Sequence, residues 1–229
     1  MSLRGVRVAA VVSVLVVAGC TTGTHARSTT SPASASGGTS SPAPTGAPTT
    51  SDTHQRPLTA GETELARTVF GDSVDYSVVR VHDQPYPLLG GFQPDDTAVT
   101  PDGEMYFPKP SYLPDFSADS PSNARWFVHE MVHVWQYQLG YPVAQRGMNR
   151  AALRYDYELG AQCGPAQCLF ADYDMEQQGE IVADYAAMTT LGMPTSRDSR
   201  YSPADLPLYR TVLADFLADP ADPANLPRR

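Results

Sequence analysis

The sequence predicts one α+β domain carried behind an exported, tethered N-terminal segment. Three observations lead there. The first 56 of the 229 residues hold a single short apolar run and otherwise little beyond Ser, Thr, Pro, Ala and Gly, too little to bury a core. The remaining 173 residues suffice for one substantial core and hardly for two. Within them, β-rich alternation and helical periodicity both occur. The expected organisation is therefore residues 1–19 as a signal peptide, 20–56 as a tether beginning at Cys20, and 57–229 as the folded domain.

The leader, MSLRGVRVAAVVSVLVVAGC, sets Arg4 and Arg7 ahead of an apolar run from Val8 to Val17, too short to span a bilayer and suited to export. Its end, Val17-Ala18-Gly19-Cys20, resembles the lipobox of bacterial lipoproteins. That resemblance implies acylation of the Cys20 thiol, cleavage in front of it, and anchorage of the exported protein to the outer face of the cell membrane. An ordinary secretory signal that contains a Cys is the alternative. From Thr21 to Thr50, 28 of 30 residues are Ser, Thr, Pro, Ala or Gly. Such a chain reaches about 30–40 Å as a flexible tether.

Charge narrows the partners. Lys and Arg number 16, two of them in the leader, against 25 Asp and Glu, for a formal net charge of −9. An acidic surface argues against nucleic acid as a partner and against a basic patch docking on anionic lipid, so membrane attachment falls to Cys20.

Along the domain, Thr59 followed by Glu62 three residues on forms a capping-box pattern and predicts a helix over residues 59–70. Val74, Tyr76, Val78 or Val79, and Val81 give a β-rich alternation, predicting a strand over residues 74–82, with a weaker one over 97–107. Ser120-Pro121 is a capping hydroxyl followed by Pro at the first helical position, and Gly140 stops the helix it begins. Asp174 with Gln177 opens a second long helix, which Gly192 and Pro194 end.

The chemistry lies in those two helices. The first contains His129-Glu130-x-x-His133. Imidazoles at i and i+4 stand one turn apart on one face, the spacing that brings two nitrogens to one zinc ion, and the Glu between them can take a proton from water. A catalytic zinc site needs a third protein ligand. Glu176, Glu180 and Asp184 share one face of the second helix, where three acids repel unless a cation compensates; a metal between Glu180 and the histidines would do so. Glu180 is preferred to Glu176, which the helix dipole already accommodates in the first turn, because Asp184 can then orient a ligating histidine. An exposed acidic stripe is the competing reading.

His129-Glu130-x-x-His133 followed by Glu180-Ile-Val-Ala-Asp184 resembles the gluzincin arrangement, in the Glu-x-x-Ala-Asp form of the CAAX prenyl proteases. The wider context over residues 74–191 is similar to metallopeptidase domains that accompany bacterial secretion systems of the Vgr and Rhs kind. The resemblance implies a zincin-like α+β fold, a small sheet packed on the His-Glu-x-x-His helix, with Glu180 as third zinc ligand and Asp184 behind a histidine.

Cys163 and Cys168 are expected to form a short local disulfide, given export, with half of a structural zinc site as the alternative. Tyr155 or Tyr157 could face the cleft. Together these features lead to the expectation of an envelope-tethered zinc peptidase acting on a peptide or protein substrate, with Glu130 as general base. The alternative is a non-catalytic, zinc-stabilised binding domain at the envelope.

Overall fold

The computed structural model describes residues 54–149, 153–160 and 168–228. The signal peptide, Cys20, the tether up to residue 53 and Cys163 of the expected disulfide lie outside the described residues. In chain order the regular elements are β1 (Gln55–Pro57), α1 (Ala60–Phe70), β2 (Arg80–His82), β3 (Met105–Tyr106), α2 (Pro121–Gln138), α3 (Val143–Gly147), α4 (Met175–Thr189), α5 (Leu206–Val212) and α6 (Ala214–Ala218). The architecture is mixed α+β. Its sheet runs β1-β2-β3, with β1 antiparallel to β2 and β2 parallel to β3.

Strand β1 lies across the boundary expected at residue 57. It is held there by Arg56, whose guanidinium donates to both oxygens of the fully buried Glu62 at 2.7 and 2.8 Å. Glu62 is also half of the capping box of α1, exchanging hydrogen bonds with Thr59 at 2.9 and 3.0 Å, and it accepts from the Phe116 amide at 2.9 Å. One carboxylate therefore ties the sheet edge, the start of α1 and the segment leading into α2.

Both predicted strands are shorter than their patterns. Only Arg80–His82 of residues 74–82 pairs, because Asp75 accepts from the Ser77 amide and hydroxyl and turns the chain. Val74, Tyr76 and Val79 still point inward, so the alternation reported burial without extended pairing. Of residues 97–107, Met105–Tyr106 forms β3 and Val99 bridges back to Tyr106. Pro101 offers no amide and Gly103 takes φ 83°, so the segment folds over on itself.

Helix α2 begins as predicted, with the Ser120 hydroxyl accepting from the Asn123 amide and Pro121 at the first position. From Phe127 to Gln136 every residue is buried. One side packs Trp135 against Phe70, Phe170 and Phe216, with the Trp135 indole donating to the Pro220 carbonyl at 2.7 Å. The other side meets α4, which Asp174 and Gln177 cap reciprocally. Among the described residues no helix is long and apolar enough to cross a membrane.

Candidate metal centre

The seam between α2 and α4 is a ladder of buried polar side chains. Because the helices run in opposite directions, successive turns of α2 meet α4 in reverse order. Gln136 meets Met175 and Gln178, His133 meets Glu176, His129 meets Glu176 and Glu180, and Arg125 meets Glu180 and Asp184.

At its centre, Glu176 Oε2 lies 3.1 Å from His129 Nε2 and 3.3 Å from His133 Nε2, and the two nitrogens are 3.2 Å apart. One donor atom from each of His129, His133 and Glu176 falls within 4.8 Å of the others, and all three residues are buried. The carboxylate facing both imidazoles is thus that of Glu176. Burial alone would raise its pKa, but His133 and His129 hold it well below the usual carboxylate range. Burial opposes the charged form of His133 too, and Glu176 outweighs it, pushing that imidazole up to about 9.

Glu180, expected as the third ligand, faces elsewhere. Its Oε2 meets Arg125 Nη2 at 2.5 Å and Arg197 Nε at 3.1 Å. Against burial, Arg125, then His129 and Arg197, lower its pKa. Its Oε1 stands 3.4 Å from His129 Nδ1, a buried atom without a hydrogen bond. Asp184, expected behind a histidine, instead accepts from Arg125 Nε at 2.6 Å, the Tyr157 hydroxyl at 2.6 Å and the Arg197 amide at 2.9 Å. Relative to the expectation, the placements are offset by one helical turn: Glu180, not Asp184, lies beside His129, and Asp184 pairs with Arg125. Four-residue spacing fixes which side chains share a face, not which turn of α4 lies opposite His129.

That register is set by a residue the sequence reading passed over. A Cβ on Gly179 would stand 2.6 Å from His129 Cε1, so only glycine lets α4 approach the imidazole this closely. An isolated glycine inside a capped helix costs about 1 kcal/mol relative to alanine, and that was the available signal. Gln136 was also missed. Its amide donates to Gln178 Oε1 and the Met175 carbonyl, so its Oε1 accepts from His133 Nδ1 at 2.9 Å. Nδ1–H is thus committed to Gln136, and Nε2 is the His133 nitrogen that faces Glu176.

Glu130 sits beside this cluster, held by neutral donors. The Thr100 hydroxyl donates to Oε2 at 2.7 Å and the Trp126 indole to Oε1 at 3.2 Å. The two tyrosines separate. The Tyr155 ring lies nearly parallel to that of His129 with centroids 6.4 Å apart, whereas Tyr157 joins Asp184 and Tyr209 in the buried network. Burial, then Asp184, raise the Tyr157 pKa.

No protein-family profile matches the chain. Among solved structures, the effector domain of Pseudomonas aeruginosa VgrG2b superposes with a TM-score of 0.52 at 32% identity, over 69% of this chain and 82% of that one. The chain belongs to the VgrG2b effector-domain family. The type VI secretion system spike protein VgrG2b of Pseudomonas aeruginosa is 38% identical over 152 residues, 64% of this chain. The match spans 14% of the spike protein's length, so this member of the family corresponds to a small part of that relative.

Proposed function

We propose that this member of the VgrG2b effector-domain family is a zincin-like zinc peptidase, with His129, His133 and Glu176 as the zinc ligands and Glu130 as general base. The observation that carries the proposal is the convergence of the two Nε2 atoms and one Glu176 oxygen within 4.8 Å in a buried site. Two imidazoles and a carboxylate are a donor set that zinc takes in catalytic sites, where a fourth position stays open. Bound zinc would polarise a scissile carbonyl and acidify water.

The chain's own residues divide the remaining work. Gln136 fixes the tautomer of His133, and Glu180 stands where the Nδ1 proton of His129 would point. The two carboxylates that face cations or imidazoles are committed to those partners. Glu130 faces a hydroxyl and an indole, which orient it while leaving it able to take a proton from water and pass it to the leaving amine.

The name of the relative, an effector domain within a secretion spike, supports an effector role, and the peptide or protein substrate follows from the peptidase reading of the site. The lipobox-like Val17-Ala18-Gly19-Cys20 supports export and anchorage at the outer face of the cell membrane through acylated Cys20. A short disulfide between Cys163 and Cys168 would fit the same exported setting.

Glu130→Gln separates this reading from a zinc-stabilised binding domain. The variant should retain stoichiometric zinc and lose about 10²–10⁴-fold in peptide cleavage. Equal cleavage by both proteins would remove Glu130 from the mechanism. Zinc without any cleavage by the wild type across a broad peptide screen would favour the binding domain.

A further inference from the structure

We infer that Thr100 is a positioning residue for the general base, setting which oxygen of Glu130 takes the proton. The inference rests on the peptidase reading of Glu130 and adds a part of the chain lying outside both site helices.

Three buried glutamates crowd the seam, and their partners differ in kind. Glu176 faces two imidazoles and Glu180 two guanidiniums. Glu130, 4% exposed, has its oxygens bracketed by the hydroxyl of Thr100, itself 3% exposed, and the indole of Trp126. The bracket is unequal. Trp126 is four residues before Glu130 on the same helix, so its indole moves with α2, and its contact with Oε1 is the longer at 3.2 Å. Thr100 arrives from the sheet edge and holds Oε2 at 2.7 Å.

The placement of Thr100 is built, not incidental. Val99 next to it exchanges backbone hydrogen bonds with Tyr106 at 2.9 and 3.3 Å. The buried Gln93 amide donates to the carbonyls of Thr97 and Tyr106, closing the base of the turn. At the far side, a Cβ on Gly103 would stand 2.5 Å from Tyr137 Cδ1, so the turn is seated closely on α2. The hydroxyl therefore reaches Glu130 from the turn at the sheet edge, a support outside α2. With Oε2 occupied by the stronger donor, Oε1 is the oxygen that takes a proton from water and returns it to the leaving nitrogen. Throughout, Oε2 keeps its hydrogen bond.

The test compares Thr100→Val, which keeps the shape and removes the hydroxyl, with Thr100→Ser, which restores it. Zinc affinity, kcat and KM on a cleaved peptide, and the affinity of acetohydroxamate for the zinc-loaded protein would be measured for each. Acetohydroxamic acid gives up its hydroxamic proton on binding zinc as the anion, so its affinity reports a correctly placed base without turnover. Thr100→Val should bind zinc within about threefold of wild type, with kcat and hydroxamate affinity reduced about 10–100-fold and KM little changed. Thr100→Ser should recover most of both losses. Wild-type kcat and hydroxamate affinity in Thr100→Val would overturn the inference while leaving the zinc site and Glu130 standing, as would a loss that Thr100→Ser does not recover. A matching loss of zinc affinity in Thr100→Val would assign Thr100 to packing and overturn it too. A wild type that binds neither zinc nor acetohydroxamate would overturn the peptidase reading and this inference with it.

Discussion

At the sheet edge, Glu62 accepts four hydrogen bonds, two from the Arg56 guanidinium and one each from the Thr59 and Phe116 amides. At the α2–α4 seam, Glu176 is also buried, yet its Oε2 sits between two imidazole nitrogens that are themselves 3.2 Å apart. Beside it, His129 Nδ1 is buried without a hydrogen bond. The first arrangement is closed: every strong acceptor has its donor, and nothing could be added. The second packs two imidazole nitrogens and one carboxylate oxygen against each other and leaves His129 Nδ1 without a hydrogen bond. Buried polar groups are normally satisfied, so an incompletely satisfied cluster beside a satisfied one marks where the fold is organised for something other than its own stability.

Breaking the closed arrangement should give the larger loss of stability. Glu62→Ala or Arg56→Ala leaves a buried charge or a set of amides without partners and should destabilise the domain by about 3–5 kcal/mol in chemical denaturation. Zinc affinity of the folded fraction should stay at the wild-type value. A strong loss of zinc affinity in either variant would show the two regions to be coupled, against the comparison drawn here. A fragment starting at residue 57 lacks Arg56 and should be correspondingly unstable.

A substitution at the open arrangement should act differently. Gly179→Ala raises intrinsic helix propensity by about 1 kcal/mol, so it would stabilise α4 if space allowed. Because the new methyl would stand 2.6 Å from His129 Cε1, the helices must separate. The expected result is a net destabilisation of about 1–3 kcal/mol together with weaker zinc binding. A more stable protein with unchanged zinc affinity would mean that Gly179 does not set the register.

How much of this was legible in the sequence differs between the two regions. The helices carrying the site announced themselves through Ser120-Pro121 and Asp174-x-x-Gln177, which encode their own ends locally. That His129 and His133 come together was legible for the same reason, since i and i+4 on one helix are neighbours whatever surrounds them. Glu176 was passed over for Glu180 because the choice depends on how α4 slides along α2, a tertiary quantity that Gly179 encodes only as an absence of side chain. Thr100 was illegible for another reason: its contact with Glu130 spans 30 residues and depends on a turn within what periodicity presented as a strand. Strand β1 was hidden by its composition, since Gln55, Arg56 and Pro57 carry no β pattern and owe their place to the Arg56–Glu62 pair.

The central claim, that Glu176 rather than Glu180 completes the metal centre, is tested most directly by zinc titrations of Glu176→Ala and Glu180→Ala against wild type. Removing a ligand should abolish tight binding, whereas removing the carboxylate behind His129 should cost about 10–100-fold. The account predicts the larger loss for Glu176→Ala. A larger loss for Glu180→Ala, with Glu176→Ala still binding zinc tightly, would contradict it.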